Sequence, residues 1–192
     1  LIGDLANTPR FQGSGSSQVN PTRVEAPREL LEAGGEGARG LVLEGYASGY
    51  ERHGGTSDAL IAEAVALAER ADVALVYVGL DELAESEGLD RPHMRLSEGQ
   101  DRLIEAVVAA NPRTVVVLTG GASVEMPWVS SVPALVNGYL TGQGGACAML
   151  DVLTGVVNPS GRLAETYALS YEDHPTAEWY PATGPLSYYR EG

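Results

Sequence analysis

Apolar residues recur along the chain in two rhythms. Short, nearly polar-free runs stand at LVLEGY (41–46), DVALVYVGL (72–80), TVVVLTG (114–120) and PALVNGYL (133–140). Their aliphatic and β-branched content predicts buried strands. Between and after them, SDALIAEAVALAERA (57–71), SEGQDRLIEAVVAANP (97–112) and GQGGACAMLDVLTG (142–155) carry apolar residues three and four apart, the spacing of one helical face. Ser57 and Ser97 stand where N-caps belong, and Gln100 three residues after Ser97 predicts a capping box. After the turn residues Asn158-Pro159-Ser160-Gly161, the stretch GRLAETYAL (161–169) reads as one more extended piece. Strands alternating with helices at this spacing predict βαβ units. The expected fold is α/β, a three-layer αβα sandwich with a mainly parallel sheet and an antiparallel edge strand at 161–169.

Composition narrows the partners. The 192 residues suit one domain with its own core, and the ends, with no starting methionine, suggest a domain cut from a longer chain (1–192). A net charge of −14 opposes binding to nucleic acid and to anionic membranes. Cys147 is the single cysteine, so no internal disulfide can form, and His53, His93 and His174 lack the spacing of a zinc site. No metal is expected. No run approaches the length of a membrane span, and a cytoplasmic and a secreted setting are both compatible with the chain.

The charge is unevenly placed. LDELAESEGLDRPHMRL (80–96) puts Asp81, Glu82, Glu85, Glu87 and Asp90 into ten positions directly after an apolar run. This connection is far longer than the usual 2 to 6 residues between a strand and a helix. In open α/β sheets ligands bind beyond the carboxyl ends of the strands. A crevice lined by carboxylates and a simply solvated acidic loop are both compatible with the spacing. Arg91 can hold one carboxylate bidentate beside Asp90 and leave another free.

A second loop, NTPRFQGSGSSQVNP (7–21), offers hydroxyls and backbone N–H groups near the same edge. It is no phosphate loop, since that pattern needs a lysine and the chain contains none. The dinucleotide fingerprint fails because Gln18 stands at its third glycine, and no GxSxG is present. Trp128 in EMPW is expected to pack in the core, as is Cys147 on a helix. Trp179, Tyr180, Tyr188 and Tyr189 belong to a surface tail.

Taken in order, PRFQGSGSSQVNPT, DVALVYVGLDELAESEGLDRPHM, LSEGQDRLIEAVVAANPRTVVVLTGGASVEMPW, YLTGQGGACAMLDVLTGVVNPSGRLAET and YREG resemble the C-terminal α/β sandwich domain of glycoside hydrolase family 3, the β-glucosidase type. The resemblance covers nearly the whole chain. It implies an exo-acting, retaining hydrolysis by two carboxylates from different domains. In that family the nucleophile is an aspartate on a preceding TIM barrel, so the resemblance implies such a barrel upstream of these residues. The acid/base glutamate lies in this domain, immediately before the glycine of E-G-x-D-R. That position is Glu87 in ESEGLDR, with Glu85 as its rival. Gln12, Ser14, Ser16 and Ser17 are then candidates to shape the leaving-group subsite, and Asp90 and Arg91 to support the acidic loop.

The resemblance further implies a β-linked glucoside or short oligosaccharide as substrate, no cofactor, and no activity without the barrel. A module that binds sugar or a protein and keeps the fold without the chemistry is the alternative.

Overall fold

The computed structural model describes residues 1–53 and 55–186. Three strands, β1 (Ala74–Gly79), β2 (Thr114–Thr119) and β3 (Ala134–Asn137), form a parallel sheet in the order β1-β2-β3. They fall inside three of the four apolar runs. The helices are α1 (Asp4–Asn7), α2 (Pro27–Ala33), α3 (Asp58–Arg70), α4 (Glu98–Ala110) and α5 (Gly145–Leu153).

Alternation along the strands creates two cores. Val76, Val78, Val116 and Leu118 point to one face and pack with Ala64, Leu67 and Ala68 of α3 and Leu103, Ile104 and Val107 of α4. Tyr77 and Val117 point to the other face and meet Leu5 of α1, Leu31 of α2 and Leu150 of α5. The chain is therefore three-layered because each strand is apolar on both sides. Leu103, Ile104 and Val107 follow the three-four spacing and are fully buried. Each such side chain contributes about 1.5–3 kcal/mol by leaving water.

Two expected strands are not strands. Residues 41–46 join no ladder, and Val42 is 92% exposed. The lane beside β1 is taken instead by the first residues: Ile2 N–H donates to the Leu75 carbonyl at 2.9 Å, Tyr77 N–H to the Ile2 carbonyl at 2.8 Å, and Ala47 N–H to the Leu1 carbonyl at 3.1 Å. Residues 161–169 also form no strand, so the antiparallel edge strand is absent and every ladder among the described residues is parallel. Leu163 and Leu169 are 57% and 81% exposed, so that stretch lacks the buried face that pairing needs.

The caps hold only in part. Ser57 and Ser97 accept hydrogen bonds from Leu60 N–H and Gln100 N–H at 3.2 and 3.3 Å. The Gln100 side chain does not complete the capping box. It turns to the end of β1, where Gly79 N–H donates to Oε1 at 2.7 Å and Nε2 donates to the Gly79 carbonyl at 2.9 Å. Trp128 is buried as expected, its Nε1 donating to Asp101 at 2.8 Å. Cys147 is only half-buried, with the Arg39 guanidinium 2.7 Å from its sulfur, so it is no plain core residue. Tyr188 and Tyr189 lie outside the described residues.

Candidate active site

The acidic loop leaves the carboxyl end of β1 and is tied down at almost every carboxylate. Asp81 accepts Leu83 N–H and Ala84 N–H at 2.9 and 2.7 Å, a tight turn closed by its own side chain, and its other oxygen is 3.0 Å from His53 Nδ1. Glu82 takes the Arg52 guanidinium in a fork, and this pairing lowers its pKa. The same Arg52 reaches Asp4 at 2.8 Å and the Thr8 carbonyl at 2.7 Å. Glu85 pairs with the buried Arg10 and accepts Gly121 N–H at 2.8 Å. Asp90 stays exposed.

The dense negative charge is thus met by two arginines, Arg10 and Arg52, from the segments 1–10 and 50–53, and His53 adds a hydrogen-bond contact to Asp81. Arg91 does not play the expected part. It makes no ion pair among the described residues and donates instead to the Ser123 carbonyl at 3.1 Å. Arg10 and Arg52, which carry the loop, were not singled out by sequence reasoning. The available signal was charge balance: with no lysine present, a cation that pairs with a clustered carboxylate has to be an arginine from a neighbouring loop.

Glu87 is placed differently from its neighbours. It is exposed, and its backbone N–H donates to the Ser14 carbonyl at 3.0 Å. Its Oε2 accepts Ser16 N–H. Hydrogen bonding from Ser16, first by the side chain and then by the backbone, holds the Glu87 carboxyl below the ordinary glutamate range. Gly15 makes the approach possible: it has φ +114°, and a Cβ there would stand 2.6 Å from Oε2 of Glu87.

Of the candidates in the serine loop, Ser14 and Ser16 therefore meet Glu87. Gln12 does not. Its amide closes the loop on itself, accepting Val19 N–H at 2.9 Å and donating to the Val19 carbonyl at 3.2 Å. Ser17 is exposed. The five carboxylates do not share one crevice either. Asp81 lines a cleft of about 560 Å³ with His53, His93, Ser97 and Asp101, whereas Glu87 faces the serine loop.

Chemically, Glu87 offers a solvent-facing carboxyl group, oriented through two backbone contacts and next to a loop of small residues. A carboxyl so exposed can give a proton to, or take one from, a group brought against this edge. Glu85 cannot do so without giving up Arg10.

The whole chain, residues 1–192, matches the family model of the glycosyl hydrolase family 3 C-terminal domain. It is 43% identical over 193 residues to a thermostable β-glucosidase B from Acetivibrio thermocellus, covering 100% of this chain and 25% of that protein. It is 38% identical over 194 residues to an exo-α-(1→6)-L-arabinopyranosidase from Bifidobacterium breve, again covering 100% of this chain and 25% of that protein. Among solved structures, a family 3 β-glucosidase from Bifidobacterium adolescentis superimposes with a TM-score of 0.83 at 38% identity, over 94% of this chain and 26% of that one. The chain spans about a quarter of the length of these relatives.

Proposed function

The chain belongs to the glycosyl hydrolase family 3 C-terminal domain family over its full length, and on that premise we propose that it is the second domain of a retaining, exo-acting β-glucosidase and supplies the general acid/base, Glu87. The observation that carries this reading is the contrast between the two glutamates of ESEGLDR. Glu85 is engaged by a buried guanidinium and a backbone N–H, while Glu87 is presented to solvent at the sheet's carboxyl edge.

The chemistry needs a partner domain of the same chain. A carboxylate nucleophile on a TIM barrel attacks the anomeric carbon while the bond to the leaving oxygen breaks and Glu87 delivers its proton to that oxygen. Glu87, now a carboxylate, then takes a proton from water as the water displaces the barrel carboxylate. The Ser16 contact favours the ionised form that the second half requires. For the first half the proton must be held longer, and a barrel carboxylate brought near Glu87 raises its pKa by like-charge repulsion. Ser14, Ser16 and Ser17 border the space that the leaving group enters. The sugar is set on the barrel side, in keeping with relatives that share this domain and are named for different sugars.

The test is leaving-group dependence in the full-length enzyme. With Glu87→Gln, kcat/KM for an alkyl β-glucoside should fall by roughly 10²- to 10⁴-fold. A dinitrophenyl glucoside, whose leaving group departs without a proton, should lose far less. Equal losses would overturn the assignment. The domain alone, lacking the nucleophile, should hydrolyse neither substrate, and turnover by it would contradict the division of labour.

A further inference from the structure

We propose that Arg10 is a positioning residue for the acid/base loop, a role that rests on the reading of Glu87 given above. Its side chain is 1% exposed, so its charge has given up water and must be met by protein. One guanidinium nitrogen donates to the Leu80 carbonyl at 3.1 Å and pairs with the Glu85 carboxylate, and the other donates to the Glu85 carbonyl at 3.0 Å. One rigid plane therefore closes the turn from the end of β1 to Glu85.

The segment that carries Arg10 continues into Ser14 and Ser16, the residues that hold Glu87. The acidic loop is thus gripped at Glu85 and at Glu87 by one short stretch of chain. Two residues span at most about 7 Å, so a displacement at Glu85 is passed to Glu87 with little slack. Gly121 N–H fixes the Glu85 carboxylate from a third side, the loop after β2.

The third guanidinium nitrogen is buried as well. Arg10 Nε is buried without a protein partner, as is the Tyr77 hydroxyl, and both residues line a cavity of about 30 Å³. That is room for one water. A lysine could pair with Glu85, but its compact ammonium cannot reproduce the planar fork that reaches two carbonyls and a carboxylate together.

The experiment compares Arg10→Lys, Glu85→Gln, their double variant and Glu87→Gln in the full-length enzyme, with melting temperatures alongside. In Arg10→Lys, kcat/KM for an alkyl β-glucoside should fall roughly 10- to 100-fold, the loss typical of a misplacement near 1 Å. The dinitrophenyl glucoside should lose less than about 3-fold, because its departure needs no proton. The double variant should be no worse than the worse single one, as expected for residues acting as a unit. Parallel losses on both substrates, or losses that follow the melting temperature, would leave Arg10 a merely structural residue and overturn the proposal. If Glu87→Gln shows leaving-group dependence and Arg10→Lys does not, positioning fails alone. If Glu87→Gln shows none, the assignment of Glu87 fails and positioning falls with it.

Discussion

Gly15 and Glu87 touch so closely that a Cβ on the glycine would lie 2.4 Å from the Cβ of the glutamate. The contact aligns Ser16 N–H with the carboxylate, and it exists because Gly15 adopts φ +114°, a conformation that L side chains rarely take.

Gly15→Ala should therefore act twice. Backbone strain costs about 1–3 kcal/mol, and the methyl group forces Glu87 away from Ser16. In the full-length enzyme, hydrolysis of an alkyl β-glucoside should fall at least about tenfold. Steady-state kinetics with a parallel thermal melt checks this. Unchanged kinetics would mean that Glu87 works from some other position.

The end of β1 provides a second test. Gln100 is 4% exposed, and its amide satisfies both peptide groups of Gly79. Gln100→Leu fills the same volume but leaves a buried N–H and a buried carbonyl unpaired, each costing about 1–3 kcal/mol. The chain should melt at a clearly lower temperature, and the loop that starts one residue later should become more open to proteolysis. A neutral substitution would show that water takes over both groups.

Legibility of the fold in the sequence follows from where the information lies. β1, β2 and β3 are short runs apolar on both faces, and a continuous apolar run announces a doubly covered strand. Residues 41–46 carry a similar run but lose the lane beside β1 to Ile2, and that competition between distant segments has no local signature. Ser97 and Gln100 spell a capping box, yet the buried Gly79 peptide draws the glutamine side chain away. The same holds for the site. Glu87 stands out through the motif around it. The Arg10–Glu85 pair spans 75 residues, and no pattern within either loop announces it.

Acid–base behaviour should be visible at Asp101. Burial, the largest effect, raises its pKa above the ordinary aspartate value, and the Trp128 indole N–H opposes this by stabilising the charged form. The native state therefore holds a proton that the unfolded chain has already released, beginning near pH ~3.9. Stability from this group is fully present below that pH and is lost as pH rises through the raised native value. Asp101→Asn keeps an acceptor for Trp128 and removes the ionisation. Its melting temperature should exceed that of the parent at pH 7, and the gap should close below pH ~4. A gap that widens on acidification would reverse the sign.

The claim that Glu87 is the acid/base is tested most directly by adding azide to the full-length Glu87→Gln and Glu85→Gln enzymes with a dinitrophenyl glucoside. Loss of the base slows hydrolysis of the glycosyl-enzyme, and azide, a nucleophile that needs no base, replaces the water. The account predicts that azide accelerates only Glu87→Gln and that the product is β-glucosyl azide, with retained configuration. Acceleration of Glu85→Gln in place of Glu87→Gln, or of neither, would contradict it.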